Sequence, residues 1–336
     1  MPEGFVPKSN TAQNLWTTRA LIEGLWKDGV PKFSTLWLGD PDYSQHLTRP
    51  GSPTALAAIR DSDTHLGLAI AELRKRGVLV KTNIFLVSDH GFSTIERAVS
   101  YGKSLIAFGK GEAKKKFNAI SRFKQTPRPG DVLFTTGGSN LIYVVDHDPE
   151  IIAEIVEWLQ GGDFAGPIFT RDGLPGTFKF AEVWMETAHA PDIVWSSGWS
   201  DRPNSFGVAG GLTSDGTKSG AGSHGSTSRF CIHNTLIAAG PDIRVAFNNE
   251  LPSGNVDVAP TILHLLGVRP EKPLDGRILA EALAGAPANL PTPTTRRIEA
   301  KRALPNGKQW SQWLQFTTLG DKEYLDEGNS STAEAK

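Results

Sequence analysis

The chain has 336 residues, 39% of them hydrophobic, which is enough to build a sizeable core in one large domain or two small ones. Its formal net charge of -1 argues against a general polyanion-binding protein, because nucleic-acid-binding domains usually carry a basic excess. A single cysteine, Cys231, excludes an internal disulfide bond and a cysteine-rich metal site.

The sequence also lacks the apolar segments that direct proteins to membranes or anchor them there. No apolar run approaches the ~20 residues of a membrane-spanning helix. The stretch "MPEGFVPKSN" at residues 1–10 lacks the basic and apolar regions of a secretory signal. The one concentrated basic run, "KGEAKKKF" at residues 110–117, is interpreted as a solvated loop or helix face. We therefore expect no membrane segment and no nucleic-acid-binding surface.

The first third of the chain alternates helices with short apolar strands. The pattern predicts a helix over residues 14–27, a strand at "FSTLWL" (33–38), a long amphipathic helix, and a strand at Ile84–Val87 that is buried on both faces of a parallel sheet. The apolar stripe of the long helix consists of Leu56, Ile59, Leu66, Ile70 and Leu73. Asp63 interrupts this stripe, and we expect it to make a buried hydrogen bond.

The remaining chain continues the alternation less regularly. "DVLFTTG" and "NLIYVVD" predict strands, and Asp148 before Pro149 predicts a helix start with its cap residue, the helix ending at Gly161. Residues 164–219 are rich in Gly, Pro, Ser and Trp, which indicates loops and short strands. "FCIHNTLIAAGPD" predicts a core strand, "VDVAPTILHLLG" a helix over residues 257–267, and the tail a hairpin that turns at residues 320–321. Together these elements indicate a layered α/β fold.

Two acid and imidazole pairs follow predicted strands. Asp42 and His46 lie just beyond "FSTLWL", and Asp89 and His90 lie just beyond Ile84–Val87. His224 stands in the glycine-rich stretch "SGAGSHGSTS". If the strands are parallel neighbours, their loops bring two carboxylates and three imidazoles to one edge of the sheet. Such a set suits two divalent transition-metal ions.

Each of these residues also has an ordinary structural interpretation. An Asp after a strand is commonly a turn or helix cap, a lone His is commonly a paired polar side chain, and Gly-Ser runs are commonly flexible loops. The joint placement at strand ends favours the metal site over these alternatives. The remaining histidines are interpreted as structural, namely His65, His147, His189, His233 and His264.

The order of five blocks resembles the alkaline phosphatase superfamily, specifically its type I phosphodiesterase/nucleotide pyrophosphatase branch. The blocks are "DPDYSQH", "SDHGF", "GAGSHGS", "VDVAPTILHLLGV" and "LDGRIL", within residues 33–284. The resemblance implies a three-layer α/β/α sandwich with a mostly parallel central sheet. It also implies a domain over residues 1–286 that lacks its N-terminal portion, with an irregular segment at about 140–220 over the site, and a C-terminal hairpin over 287–336 packed on the same domain.

By the same resemblance, Asp42, His46 and His224 hold one zinc ion, and Asp89 and His90 hold a second. Two divalent ions about 4 Å apart can clamp a phosphoryl group and stabilise its attacking and leaving oxygens. In the family a Thr or Ser oxygen attacks first and forms a covalent phospho-enzyme. The implied substrate is a small phosphate ester or nucleotide.

Trp37 matches the family position at which an aromatic residue stacks on a nucleotide base. The alternative is a core aromatic on a strand.

The family nucleophile has no evident counterpart among the forty or so residues before the first metal ligand. Thr11, Thr17 and Thr18 fall at or within the first predicted helix. We therefore expect this chain to lack the N-terminal part of the fold and to be weakly active or inactive alone. The resemblance implies a periplasmic or secreted location for the full-length protein, although the chain itself leaves the location open.

Other interpretations remain open at this point. A phosphomonoesterase or a phosphonate hydrolase shares the metal blocks. A sulfatase fits least, because Cys231 lies in "RFCIHN" and outside the Cys/Ser-x-Pro-x-Arg setting that forms formylglycine. A catalytically incomplete zinc-binding domain is the alternative from another class, although structural zinc sites are usually closed and rich in cysteine.

Overall fold

The computed structural model describes residues 10–121, 126–216, 218–287 and 289–334. The helices in these residues are α1 (Asn10–Arg19), α2 (Asp42–Thr48), α3 (Pro53–Lys75), α4 (Tyr101–Gly111), α5 (Pro149–Gly161), α6 (Arg229–Ile232) and α7 (Val258–Leu265). The strands are β1 (Ile84–Val87), β2 (Ser93–Val99), β3 (Ala119–Ile120), β4 (Val132–Thr135), β5 (Ser139–Val144), β6 (Ala165–Thr170), β7 (Phe178–Lys179), β8 (Ile193–Ser197), β9 (Trp199–Pro203), β10 (Ala209–Asp215), β11 (Gly222–Ser223), β12 (Leu236–Ala239), β13 (Thr294–Ala303), β14 (Lys308–Leu319) and β15 (Lys322–Glu334). None of the described helices combines the length and apolar character needed to cross a bilayer.

The chain divides into two compact units. The first unit comprises Met1–Asp89, Asn234–Thr294 and Thr317–Tyr324. The second unit comprises His90–His233, Thr295–Phe316 and Leu325–Lys336. Each unit is therefore assembled from separate stretches of chain, and the C-terminal hairpin contributes residues to both.

The core of the first unit is small and centres on α1 and α3. α1 continues into a π-helical turn at Ala20–Leu25, and the predicted helix at residues 14–27 is thereby confirmed. Leu21, Trp26, Ala69 and Leu73 form a buried cluster. α3 starts after Ser52, whose Oγ accepts a hydrogen bond from the backbone N–H of Ala55 and so caps the helix.

The apolar stripe predicted for α3 coincides with its buried face only in part, since Leu73 is buried and Leu66 and Ile70 are half-buried. Leu56 and Ile59 are exposed, and Asp63 is exposed as well, so the buried hydrogen bond expected of Asp63 is wrong. The buried residues of this helix are Ala55, Ala58, His65, Ala69 and Leu73. The small alanine side chains allow close packing of the helix backbone, which a pattern based on large apolar residues does not reveal.

Two predictions about strands in the first unit are corrected. Residues 33–38 form no strand, and Ile84–Val87 is not buried between parallel neighbours. β1 pairs antiparallel with β12, from Ile84 opposite Ala239 to Val87 opposite Leu236, in a two-stranded sheet. A strand needs a neighbour to complete its hydrogen-bond ladder, and an apolar run does not specify which neighbour is present.

The second unit contains a six-stranded sheet in the order β3-β4-β5-β8-β6-β7. β3 pairs parallel with β4 and β6 parallel with β7, whereas the β4–β5, β5–β8 and β6–β8 pairs are antiparallel. Buried residues of this sheet, α4 and α5 form one large core cluster. The helix start at Asp148 and Pro149 is confirmed, because Asp148 accepts hydrogen bonds from the N–H groups of Glu150 and Ile151.

The segment at about 140–220, expected to be irregular, contains short strands, as the prediction of loops and short strands for residues 164–219 implies. β6 and β8 lie in this stretch, and every residue of both strands is buried. Strands buried on both faces show no alternation of apolar and polar residues, so periodicity does not identify them. A four-stranded sheet, in the order β11-β2-β10-β9, also takes two strands from this stretch.

The strands at β4 and β5, the helix α7 and the hairpin that turns between β14 and β15 are confirmed. The strand predicted within residues 230–242 is confirmed for Leu236–Ala239, and its start is replaced by the short helix α6. The α/β fold class is confirmed. Its sheets are mixed, with both parallel and antiparallel pairs in the two largest sheets.

Candidate metal centre

The first candidate ligand pair lies on α2, in the first unit. Asp42 is the first residue of this helix, and His46 lies one turn later. Residues four apart share a helix face, and the His46 Nε2 atom is 3.5 Å from the Asp42 Oδ1 atom. Both side chains are roughly half exposed. A carboxylate oxygen and an imidazole nitrogen at this separation form a candidate Asp/His cluster for a divalent ion.

The chain before α2 is held by buried polar groups that sequence reasoning missed. Asn14 on α1 is fully buried and accepts a hydrogen bond from the N–H of Gly39 at 2.8 Å. Asp40 is buried, and its Oδ1 accepts from the N–H of Ser44 at 3.0 Å, which caps the first turn of α2. Ser62 on α3 donates to the carbonyl oxygen of Asp40 at 2.9 Å. An Asp just before a proline and a helix start is the sequence signal that could have identified this cap.

Asp89 follows β1 and ends the first segment of the first unit. Its side chain is exposed, and its carbonyl oxygen accepts a hydrogen bond from Asn255 Nδ2 at 3.0 Å. Asn255 also donates to the carbonyl oxygen of Ser88 at 3.1 Å, and Ser88 Oγ accepts from the N–H of Thr235 at 2.8 Å. Asn255 directly precedes the "VDVAPTILHLLGV" block, so this block helps to fix the backbone at a candidate ligand.

His90 and His224 come together in the second unit. Their rings are stacked, with centroids 3.5 Å apart and an angle of 10° between planes. Phe92 lies beside both rings, with its ring centroid 5.9 Å from that of His90 and 5.3 Å from that of His224. The pairing of β11 with β2, in which Ser223 faces Ser93, places these two histidines close to each other although they are far apart in sequence.

The orientation of the His90 ring is set by its own backbone neighbour. His90 Nδ1 lies 2.9 Å from the carbonyl oxygen of Gly91. A carbonyl oxygen only accepts, so Nδ1 carries the proton and Nε2 has the lone pair of the neutral ring. The N–H of Gly91 in turn donates to the carbonyl oxygen of Cys231 at 2.8 Å. This is the type of outer contact that orients metal-binding histidines.

Trp37 lies in the first unit with 68% of its side chain exposed, which excludes the core-aromatic alternative. Thr17 and Thr18 have structural partners. Thr17 donates to backbone carbonyl oxygens of α1, and the fully buried Thr18 hydroxyl donates to the carbonyl oxygen of Asn14 and lies 3.1 Å from His65 Nδ1. Neither threonine is therefore presented as a nucleophile.

Comparison with known proteins gives a family match over most of the chain. The model of the type I phosphodiesterase / nucleotide pyrophosphatase family matches residues 7–225. A curated relative, a venom phosphodiesterase from Naja atra, is 32% identical over 65 residues, which are 19% of this chain and 8% of the venom enzyme.

Solved structures of an ectonucleotide pyrophosphatase/phosphodiesterase, type 5, share the fold. The murine protein has a TM-score of 0.53 at 18% identity, covering 84% of this chain and 66% of its own. An inactive murine variant in complex with AMP has the same values, and the human protein has a TM-score of 0.51. The present chain thus spans about two thirds of these chains. The likeness shows an α/β fold consistent with the alkaline phosphatase-like fold.

Proposed function

Because this chain belongs to the type I phosphodiesterase/nucleotide pyrophosphatase family, we propose that its protein hydrolyses phosphodiester or nucleotide pyrophosphate bonds with the help of divalent metal ions. The family match carries this proposal, since residues 7–225 include every candidate ligand named from the sequence. The alkaline phosphatase-like fold of the ectonucleotide pyrophosphatase neighbours supports it.

The proposed ligand sets follow the family pattern. Asp42, His46 and His224 hold one zinc ion, and Asp89 and His90 contribute to a second. The donor chemistry fits this assignment, because carboxylate oxygen and imidazole nitrogen are the atoms that zinc takes in open, catalytic sites. The separation of 3.5 Å between the ligand atoms of Asp42 and His46 supports a shared ion on α2.

The side chains of this protein hold and orient the reacting groups in this proposal. Bound divalent ions supply positive charge that stabilises the charge developing on the phosphoryl oxygens. His90 presents Nε2 because its Nδ1–H donates to the carbonyl oxygen of Gly91. Asp40 and Asn14 hold the start of α2, so Asp42 and His46 keep their mutual geometry. The reaction proceeds through a covalent phospho-enzyme, as the family resemblance implies, and no described residue is assigned as its nucleophile.

The proposed substrate is a nucleotide or another small phosphodiester. A structural neighbour was solved with AMP, which supports a nucleotide. Trp37 is an exposed aromatic side chain, and base stacking on such a ring contributes ~1–3 kcal/mol per base. The neighbours are named ectonucleotide pyrophosphatases and the curated relative a venom phosphodiesterase, which supports a secreted or periplasmic location for the protein.

Zinc titration of the purified 336-residue chain tests the metal assignment. We expect zinc binding that falls at least ~10-fold in affinity in His46→Ala, because a lost ligand leaves an incomplete coordination shell. His264→Ala is the matched control, since His264 lies on α7 and is assigned no ligand role. Equal zinc affinity in His46→Ala and the native sequence would contradict the assignment.

Hydrolysis rates of the protein test the substrate class. We expect faster hydrolysis of a nitrophenyl phosphodiester than of the corresponding monoester, and a lower rate in His46→Ala. Clearly faster hydrolysis of the monoester would contradict the diesterase assignment and identify a phosphomonoesterase.

A further inference from the structure

The loop that carries His224 is anchored on both sides of the histidine, within the second unit. Before it, Gly222 and Ser223 form β11 and pair with β2. After it, Thr227 is bound through both its backbone and its hydroxyl group. The loop between these two anchors is only three residues long, so its conformation depends closely on them.

The anchor after the histidine is a pair of hydrogen bonds to β15. The N–H of Gly328 donates to the carbonyl oxygen of Thr227 at 2.8 Å, and the Thr227 hydroxyl donates to the carbonyl oxygen of Gly328 at 2.8 Å. Ser196 on β8 supports the same residue, because its Oγ accepts from the N–H of Thr227 at 2.8 Å and lies 3.0 Å from Thr227 Oγ1.

Gly328 is suited to this contact because the strand is tightly packed at that point. A Cβ atom at position 328 would lie 2.4 Å from a methyl group of Leu314 and 2.8 Å from the carbonyl oxygen of Trp313, both on β14. The carbonyl oxygen of Gly328 also accepts from Trp199 Nε1 at 2.6 Å, and Asn329 Nδ2 donates to the carbonyl oxygen of Trp199 at 2.8 Å. β15 therefore holds a fixed position next to Thr227.

The backbone of His224 itself rests on a second close contact. A Cβ atom at Gly138 would lie 1.4 Å from the carbonyl oxygen of His224, so only glycine allows this approach. Ser139 Oγ donates to the carbonyl oxygen of Gly225. The backbone is thus held from two sides, and the imidazole of His224 stacks on that of His90.

We propose that Thr227 and Gly328 are positioning residues for the metal ligand His224, and that the C-terminal hairpin is therefore part of the metal-binding apparatus. This hairpin lies outside residues 7–225, the segment matched by the family model. The proposal rests on the proposed function, because it presumes that His224 binds a metal ion. Removal of an outer contact to a metal ligand typically weakens metal binding ~10- to 100-fold.

Zinc affinity of the 336-residue protein, measured by competition with a chromogenic chelator, tests this proposal. Thr227→Val removes the hydroxyl and retains the shape, and we expect at least ~10-fold weaker zinc binding. Thr227→Ser restores the hydroxyl and should bind zinc nearly as the native sequence does. Thr332→Val is the matched control, because Thr332 lies on the same strand and its hydroxyl donates to the carbonyl oxygen of Gln160.

A second measurement separates positioning from general stability. The imidazole proton resonances of His224 in the metal-free protein report the ring stack with His90, and we expect them to shift in Thr227→Val and to stay in place in Thr332→Val. Should Thr227→Val fail to fold, Ser196→Ala removes the other side-chain contact to Thr227 and should produce the same displacement and weaker zinc binding.

The outcomes distinguish this proposal from the proposed function. If His224→Ala weakens zinc binding whereas Thr227→Val leaves both affinity and resonances unchanged, the positioning role is overturned and the ligand assignment stands. If His224→Ala itself leaves zinc binding unchanged, the ligand assignment fails and the positioning role fails with it.

Discussion

The two compact units differ in how much of their apolar surface they bury. Among the described residues, the two large clusters of buried apolar side chains belong to the second unit, and the first unit has a small cluster around α1 and α3. Exposed large apolar side chains show the opposite distribution. All of those described lie in the first unit except Trp184 and Phe206.

This difference in burial arises from the pairing of strands and not from the amino-acid composition of the two units. β8 in the second unit is paired on both sides, by β5 and β6, and each of its residues is buried. β1 in the first unit is wholly apolar, whereas β8 includes Ser196 and Ser197, yet β1 pairs with β12 alone and its Leu86 and Val87 are 42% and 36% exposed. An apolar strand thus acquires a core position only when neighbours cover its edges and faces. The two units should accordingly respond differently to similar changes.

Replacement of a tryptophan by alanine should produce the largest difference between the two units in the free energy of unfolding. Trp195 is 1% exposed within the main core, and Trp195→Ala should lower the free energy of unfolding by about 3–5 kcal/mol through lost burial and a residual cavity. The same substitution at Trp37, which is 68% exposed, should change it by less than about 0.5 kcal/mol. Urea denaturation followed by circular dichroism measures both. Similar losses at the two positions would show that the contrast in packing is wrong.

The first unit contains a buried ion pair between Arg277 and Glu281. Arg277 donates to both carboxylate oxygens of Glu281, at 2.8 and 2.7 Å, and the Glu281 side chain is 2% exposed. Glu281→Gln leaves the Arg277 charge without its partner and should cost about 3 kcal/mol at neutral pH. Glu299→Gln is the control, because Glu299 forms its ion pairs on an exposed face. Urea denaturation in which the two variants are equally stable would refute this ranking.

The ion pair between Arg277 and Glu281 also predicts how the stability of the protein depends on pH. Burial opposes ionisation of Glu281, but the hydrogen bonds and charge of Arg277 outweigh it and hold the pKa of this carboxyl below its ordinary value of 4.5. A carboxyl with a lowered pKa in the folded state stabilises the protein above its unfolded-state pKa, and this contribution is lost as the pH falls through the folded-state pKa. Denaturation curves between neutral pH and pH about 3 should therefore show a smaller acid-dependent loss in Glu281→Gln than in the native sequence. Identical losses would contradict the coupling.

The exposed face of α3 should produce the smallest change in stability. Leu56 and Ile59 are 43% and 48% exposed on one side of this helix. Replacing both by glutamine should lower the fluorescence of a bound apolar dye while the free energy of unfolding changes by less than about 0.5 kcal/mol. Trp184→Gln, which removes an exposed side chain of the second unit that stands edge-on to Phe316, should leave the dye signal unchanged. An equal loss of signal in both variants would mean that the dye does not distinguish the units.

Local signals predicted many of the elements. The cap at Asp148 before Pro149, the apolar run of β5 and the turn between β14 and β15 are each encoded within a few residues, and all are present. The failures concern elements whose state depends on a distant partner. Residues 33–38 have strand composition and form no strand, whereas β6 and β8 lack alternation and are central strands.

The residues of the candidate site fall into the same two groups, those predicted by local signals and those whose position depends on a distant partner. Asp42 and His46 are neighbours because a helix places residues four apart on one face, which their spacing alone predicted. His90 and His224 are stacked because β11 pairs with β2, and no local pattern contains that pairing. The supporting residues Asp40, Asn255 and Thr227 were missed, since their role depends on which backbone groups the fold brings next to them. The wider ligand assignment stays a prediction.

The sequence by itself determined the kinds of residue available for chemistry, the family to which the blocks point, and those helices and turns whose signals are local. The tertiary structure alone decided which apolar faces are buried and which polar groups hold the candidate ligands. The physical reason is that capping and helix spacing act over a few residues, whereas strand pairing and burial depend on contacts between residues far apart in the chain.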